Sequence, residues 1–153
     1  MIHQKQAMKA TGNKPSSLEV GHAWELRSPE ILHTNWIVGD FPTIPMGSLR
    51  FMQQTNLAKD IVGDTAKDIA IKWFLHTPDD PAAWGVNKPT SQGRTISILA
   101  GEGEFELTFT QADQPYILTL DTPGDFAIWG PGLKHAWRPL KPSPILTVRW
   151  TPD

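Results

Sequence analysis

Apolar and polar residues alternate through much of the second half of this chain. Residues 68–76, DIAIKWFLH, put Ile69, Ile71, Trp73 and Leu75 on one side of an extended backbone and Ala70, Lys72, Phe74 and His76 on the other. Both sides are substantially apolar, as in a strand packed on two faces or entering a barrel wall. Residues 94–109 predict a hairpin: RTISILA rises, EFELTF returns, and Gly101-Glu102-Gly103 turns the chain between them. In the returning strand Phe105, Leu107 and Phe109 face one way, while Glu104, Glu106 and Thr108 form a solvated row. Further short strands follow at 116–121, 126–129 and 144–150, separated by Pro- and Gly-rich turns. No helical periodicity of any length interrupts them. Regularly spaced short strands of this kind predict an all-β, antiparallel sandwich or closed barrel.

The first half is less regular. Residues 1–16 are polar and aperiodic and read as a mobile N-terminal arm. Residues 17–65 read as an extension packing on the barrel. Within it, Trp36-Ile37-Val38 and Ser48 to Met52 resemble short strands, and Ser28-Pro29 could cap one helical turn. Residues 66–153 form the barrel itself. The loop from Thr77 to Gly93 is long and dense in Pro, Asp and Asn, which at this length points to a functional or unstructured segment.

Composition narrows the function. A net charge of −2 over 153 residues, with no basic block, argues against nucleic acid or an anionic membrane as partner. The absence of Cys excludes thiol catalysis, zinc-thiolate sites and disulfides. No apolar run reaches the roughly 18 residues needed to span a bilayer, and the N-terminus lacks a secretory h-region, so a cytoplasmic protein is expected. The seven Trp residues suit either a core filled with large wedges or an aromatic-walled ligand site. His22 and His33 stand outside any motif and are left out of the candidate site.

One stretch carries the most specific signal. Residues 124–138 read GDFAIWGPGLKHAWR: an apolar strand, a stiff Gly130-Pro131-Gly132 reversal in which both glycines permit positive φ, and a returning strand that begins near His135. This resembles the second motif of the cupin superfamily, the RmlC-like jelly rolls, and TISILAGEGEFEL resembles the back end of the first motif. The resemblance covers about residues 65–150. It extends, through WIVG, DIAIKW and RTISIL, to small bacterial cupin-like proteins of undefined function. Some of these are labelled signal peptidase I, a label that the missing membrane anchor and Ser/Lys pair do not support.

The resemblance implies a single-domain jelly-roll β-barrel with a pocket, and in most cupins a metal held by several ligands. Here it sets Arg94 where the first motif has its Glu, and Gly85 and Asn87 where it has two His. Only His135 of the usual ligand set remains. One imidazole does not hold a divalent ion, so no metal cofactor is expected. A rebuilt site would use His76 and His135, completed by Asp79, Asp80 or Asn87. The expected pocket is walled by Trp73, Phe74, Trp129 and Trp137, with His76, Arg94 and His135 as its polar groups, His135 also being the candidate catalytic residue. Three functions follow as expectations. The first is binding of a small molecule, anionic or sugar-like. The second is a metal-dependent or His-based enzyme of isomerase or dioxygenase type using His76 and His135. The third is a dimeric structural or interaction module; a homodimer is expected in any case.

Overall fold

Among the described residues, ten strands form two five-stranded antiparallel sheets, and the chain changes sheet at most of the connections between them. This computed structural model describes residues 7–22, 66–81, 88–89 and 93–152. In chain order the strands are β1 (Lys9–Thr11), β2 (Leu18–His22), β3 (Ala66–His76), β4 (Lys88–Pro89), β5 (Arg94–Leu99), β6 (Glu104–Gln111), β7 (Gln114–Leu120), β8 (Asp125–Trp129), β9 (Lys134–Lys141) and β10 (Ser143–Pro152). One sheet runs β1-β7-β6-β9-β4 and the other β2-β8-β5-β10-β3. The fold is all-β, as the alternation predicts, and a jelly roll, as the cupin resemblance implies.

The core lies between the sheets. Leu99, Phe105, Leu107, Phe109, Leu118, Leu120, Trp129 and Ile145 are buried there, drawn from both walls. Fully burying a side chain of this size stabilises the fold by roughly 1.5–3 kcal/mol. The outward face of the first sheet carries charged side chains that are partly buried. There Glu104 pairs with Lys141 at 3.1 Å and Glu106 with Arg138 at 3.2 Å, each opposite its partner in the β6/β9 register. The Glu row is therefore ion-paired and partly buried, where its alternation predicts a solvated face: the Glu106 side chain is 13% exposed and Thr108 Oγ1 is buried.

Three expectations need correction. RTISILA and EFELTF are not a hairpin: β5 and β6 lie in different sheets, and the Gly101-Glu102-Gly103 corner carries the chain from one to the other. Glycine is needed at this corner because a Cβ on Gly103 would sit 2.6 Å from Ser143 Oγ at the start of β10. The 130–132 reversal likewise passes from β8 in one sheet to β9 in the other, and of its two glycines only Gly132, at φ +82°, takes the left-handed region. Finally, the N-terminal arm is not free throughout. Lys9, Ala10 and Thr11 pair with Thr119, Leu118 and Ile117 as the edge strand of the first sheet. The strands expected at 36–38 and 48–52, the helical turn at Ser28 and His33 lie outside the described residues.

β2, from the extension, pairs with β8 and closes the edge of the second sheet. It brings His22 beside Asp125, which has no solvent exposure. His22 Nδ1 donates to Asp125 Oδ1 at 3.0 Å, and the backbone N–H groups of Asp121 and Thr122 donate to Oδ2 at 3.1 and 3.0 Å. The carboxylate thereby ties the β7–β8 turn to β2.

Candidate functional site: a cavity between the two sheets

Strand alternation decides which side chains enter the interior. In the β5/β10/β3 register Thr95, Arg149 and Ala70 share a cross-strand row, which Trp129 extends onto β8. Ser97, Thr147 and Lys72 form the next row. These residues line one wall of a cavity of about 460 Å³; Phe105, Leu107, Trp137 and His135 of β6 and β9 line the other. Its size lies within the range of small-molecule pockets, roughly 300–1,000 Å³. Lys72 and Arg149 are solvent-exposed and stand at its opening.

The two walls differ chemically. Phe105 and Trp137 lie near-parallel, with ring centroids 5.8 Å apart and an interplanar angle of 16°. The opposing wall carries the hydroxyl residues Thr95, Ser97 and Thr147, the ammonium of Lys72 and the guanidinium of Arg149, with the Trp129 ring beside them. Ser97 and Thr147 hydroxyls are 3.5 Å apart. Thr95 Oγ1 and Trp129 Nε1 are buried without a protein hydrogen-bond partner.

Two histidines line this cavity from different sheets. His135, on β9, has its Nδ1 3.2 Å from the carbonyl oxygen of Leu133. A carbonyl only accepts, so Nδ1 carries the proton, and in the neutral ring Nε2 keeps a lone pair. Burial pushes the His135 pKa down, the Leu133 contact opposes this, and the charge of Arg149 adds to the depression. His76 closes the end of β3. It is buried against Trp137, with ring centroids 4.4 Å apart, against Phe74 at 4.9 Å and against Phe105 at 5.4 Å. Its Nδ1 stands 3.4 Å from Asp80 Oδ2. Burial lowers its pKa as well; the Asp80 contact resists and the charge of Lys72 adds to the lowering. Both rings are thus neutral near pH 7, with Nδ1 anchored and Nε2 left as an acceptor.

Of the residues the sequence proposes, His76, Trp129, His135 and Trp137 come together around this cavity. Phe74 is on the same side of β3 and packs on His76 at the rim, half exposed. Two do not join them. Trp73 is on the outward side of β3 and 65% exposed. Arg94 precedes Thr95 and therefore points to the other side of β5, where its guanidinium lies near Gly130. Aligning Arg94 with a pocket position is off by one residue, and on a strand one residue means the opposite face. Thr95, Ser97, Thr147 and Arg149 were missed, although the alternation of RTISIL and PILTVRW places all four on common faces.

Among the described residues the donor set does not make up the several-ligand site that a cupin resemblance implies. Among the described residues no three His, Asp or Glu side chains gather closely enough to hold an ion. Asp80 joins His76, whereas Asp79 accepts the Thr77 hydroxyl and is exposed. His135 packs instead beside Trp129, with ring centroids 5.0 Å apart. Gly85 and Asn87 lie outside the described residues.

No family model and no curated protein matches the chain. Among solved structures it is similar to Streptomyces albus HEPD with its substrate 2-hydroxyethylphosphonate and Fe(II) bound, with a TM-score of 0.47 and 18% identity over 59% of this chain. The match spans 21% of the length of that protein. Among the described residues no helix is long and apolar enough to cross a membrane.

Proposed function

We propose that this chain is a cupin-like binding protein for a small organic anion, held in the cavity between the two sheets. One observation supports this above the others. Among the described residues, the charged side chains lining the cavity are Lys72 and Arg149, both cationic, and no described carboxylate lines it with them. Their field raises the local concentration of anions, and Arg149 can meet a carboxylate or phosphate with two parallel N–H donors.

Thermal shift of the full chain against carboxylates, phosphates and neutral sugars tests the reading. Ligands of the native state raise the melting temperature. Anions are expected to do so, sugars not, and Arg149→Met is expected to abolish the shift. A panel in which no anion shifts the wild-type protein would overturn it.

A second copy of the chain is the partner that the structure supports. β3 is paired on one edge with β10, and its outward face carries Ile71 at 69%, Trp73 at 65% and Leu75 at 48% exposure. These positions are symmetric about Trp73. Antiparallel pairing of β3 with its own copy about a two-fold axis therefore sets apolar against apolar and satisfies the edge backbone groups.

A further inference from the structure

β3 is open to solvent on both of its faces. Every residue from Ala70 to Leu75 is exposed, so the cavity side with Lys72 and Phe74 is as accessible as the outward side with Ile71, Trp73 and Leu75. Among the described residues β3 is also the edge of its sheet. Lys72 and Ala70 line the cavity from this strand, so the cavity opens along it. A strand that pairs with the free edge of β3 therefore stands at the mouth of the cavity.

Two-fold pairing about Trp73 fixes which residues arrive there. Residues equally far before and after Trp73 face one another. On the outward side Ile71 meets the partner's Leu75, and on the cavity side Lys72 meets the partner's Phe74. Lys72 already lies over the Phe74 ring of its own strand, 5.0 Å from the centroid. Across the axis its ammonium gains a second ring of the same kind. Lys72 and the partner's Lys72 become diagonal neighbours on one face, about 7–8 Å apart at the backbone.

The charge around this axis is one-sided. Arg149 is opposite Ala70 in the β3/β10 register and is thus a diagonal neighbour of Lys72. Among the described residues neither cation has an ion-pair partner, and no described carboxylate lines the cavity. Pairing gathers these cations from both copies, and like charges at such spacing oppose association. Each mouth carries two positive charges, one from Lys72 and one from Arg149. A dianion matches them and a monoanion cancels half.

Resting on the anion reading and on the pairing of two copies, we infer that the two are linked: a dianion held by Lys72 and Arg149 tightens the dimer. The partner contributes its Phe74 and its Lys72 to the mouth of each site. The bound dianion removes a repulsion that the apolar pairs on the outward side otherwise have to overcome. Linkage is reciprocal, so the dimer also holds the dianion more tightly than the monomer does.

Sedimentation equilibrium of the full chain at matched ionic strength tests this, with chloride as reference and millimolar sulfate, succinate or acetate as probes. At least one dianion is expected to lower the dimer dissociation constant about 3–10-fold, and acetate to lower it less. Lys72→Gln removes the charge at an exposed position. In chloride it is expected to dimerise more tightly than wild type, and its response to the dianions is expected to shrink. The variant also separates a bound anion from a general salt effect on apolar association, which would act on both proteins alike.

A dimer dissociation constant that no dianion changes, while a dianion still raises the melting temperature, would overturn this inference and leave the anion reading intact. No effect of any anion on either measurement would remove both. A chain that is monomeric in every buffer would remove the pairing and this inference together. Lys72→Gln dimerising more weakly than wild type in chloride would show that no repulsion exists to be relieved.

Discussion

Nδ1 of His135 lies 3.2 Å from the carbonyl oxygen of Leu133, two residues earlier in the chain. The contact turns a residue at the edge of a Gly-Pro-Gly reversal into a fixed element of the cavity wall. Gly132 takes a positive φ, Leu133 is buried, and the imidazole is held by the backbone that has just turned. Orientation and tautomer are thereby set locally, before any ligand arrives.

The histidines make stability depend on pH. Both His76 and His135 have folded-state pKa values pushed by burial below the ordinary imidazole value of 6.5. Above that value the rings are neutral in folded and unfolded chains alike, and the stability is fully present. As the pH falls, the unfolded chain takes up protons that the folded one resists, so stability is lost until the pH passes the lowered folded values. The urea midpoint should therefore fall between pH 7.5 and pH 5.5. His135→Gln should flatten that dependence, and a slope as steep as wild type in the variant would mean that His135 does not contribute.

Asp125 should be the most sensitive polar position described. It is wholly buried and accepts from His22 and from two backbone N–H groups. Asp125→Ala leaves three donors facing an apolar side chain, and the loss is expected at about 3–5 kcal/mol, since each buried donor left unsatisfied costs roughly 1–3 kcal/mol. His22→Ala should cost less, because the carboxylate keeps its backbone donors. Urea denaturation of the two variants measures the difference, and the reverse order would contradict this account of the turn.

How much of this was legible in the sequence follows from the same geometry. Alternation along DIAIKWFLH assigns Lys72 and His76 to one face and Trp73 to the other, and the structure keeps that division. The all-β class and the approximate strand positions come from the same signal. What alternation lacks is which strand is the neighbour. A tight Gly-x-Gly turn reads as a hairpin whether the chain returns in its own sheet or crosses to the facing one. β5 to β6 and β8 to β9 both cross. The pairing of His22 with Asp125 was equally out of reach, since it joins residues 103 positions apart. Arg149 and Thr95 were within reach: PILTVRW and RTISIL already place them on alternate positions, but a motif alignment drew attention to Arg94, one residue away.

The hairpin of β6 and β7 supplies a test of backbone chemistry. β6 and β7 are joined through Ala112 and Asp113, whose φ values are +49° and +59°. Two consecutive positive values mark the mirror-image turn that matches strand twist, for which Asn-Gly is preferred. Ala carries a Cβ penalty there, roughly 1–2 kcal/mol in the left-handed region. Ala112→Gly should therefore stabilise the protein by about 0.5–1 kcal/mol, net of the added freedom of the unfolded chain. A lowered melting temperature would contradict the turn assignment.

The exposed face of β3 makes the last prediction. Apolar side chains at 71, 73 and 75 on a strand that is the edge of its sheet among the described residues invite pairing, and their symmetry about Trp73 favours a copy of the same strand. A charge at the symmetry point meets its own like across the axis, so a single substitution acts twice. Trp73→Glu should shift the protein from dimer to monomer in sedimentation. The fold should be unperturbed, because the wild-type side chain points away from the core. Anion binding should also survive, since Trp73 does not line the cavity. A Trp73→Glu protein that sediments as wild type would exclude this strand as the contact. One that becomes monomeric and also loses anion binding would show that the cavity depends on the second copy.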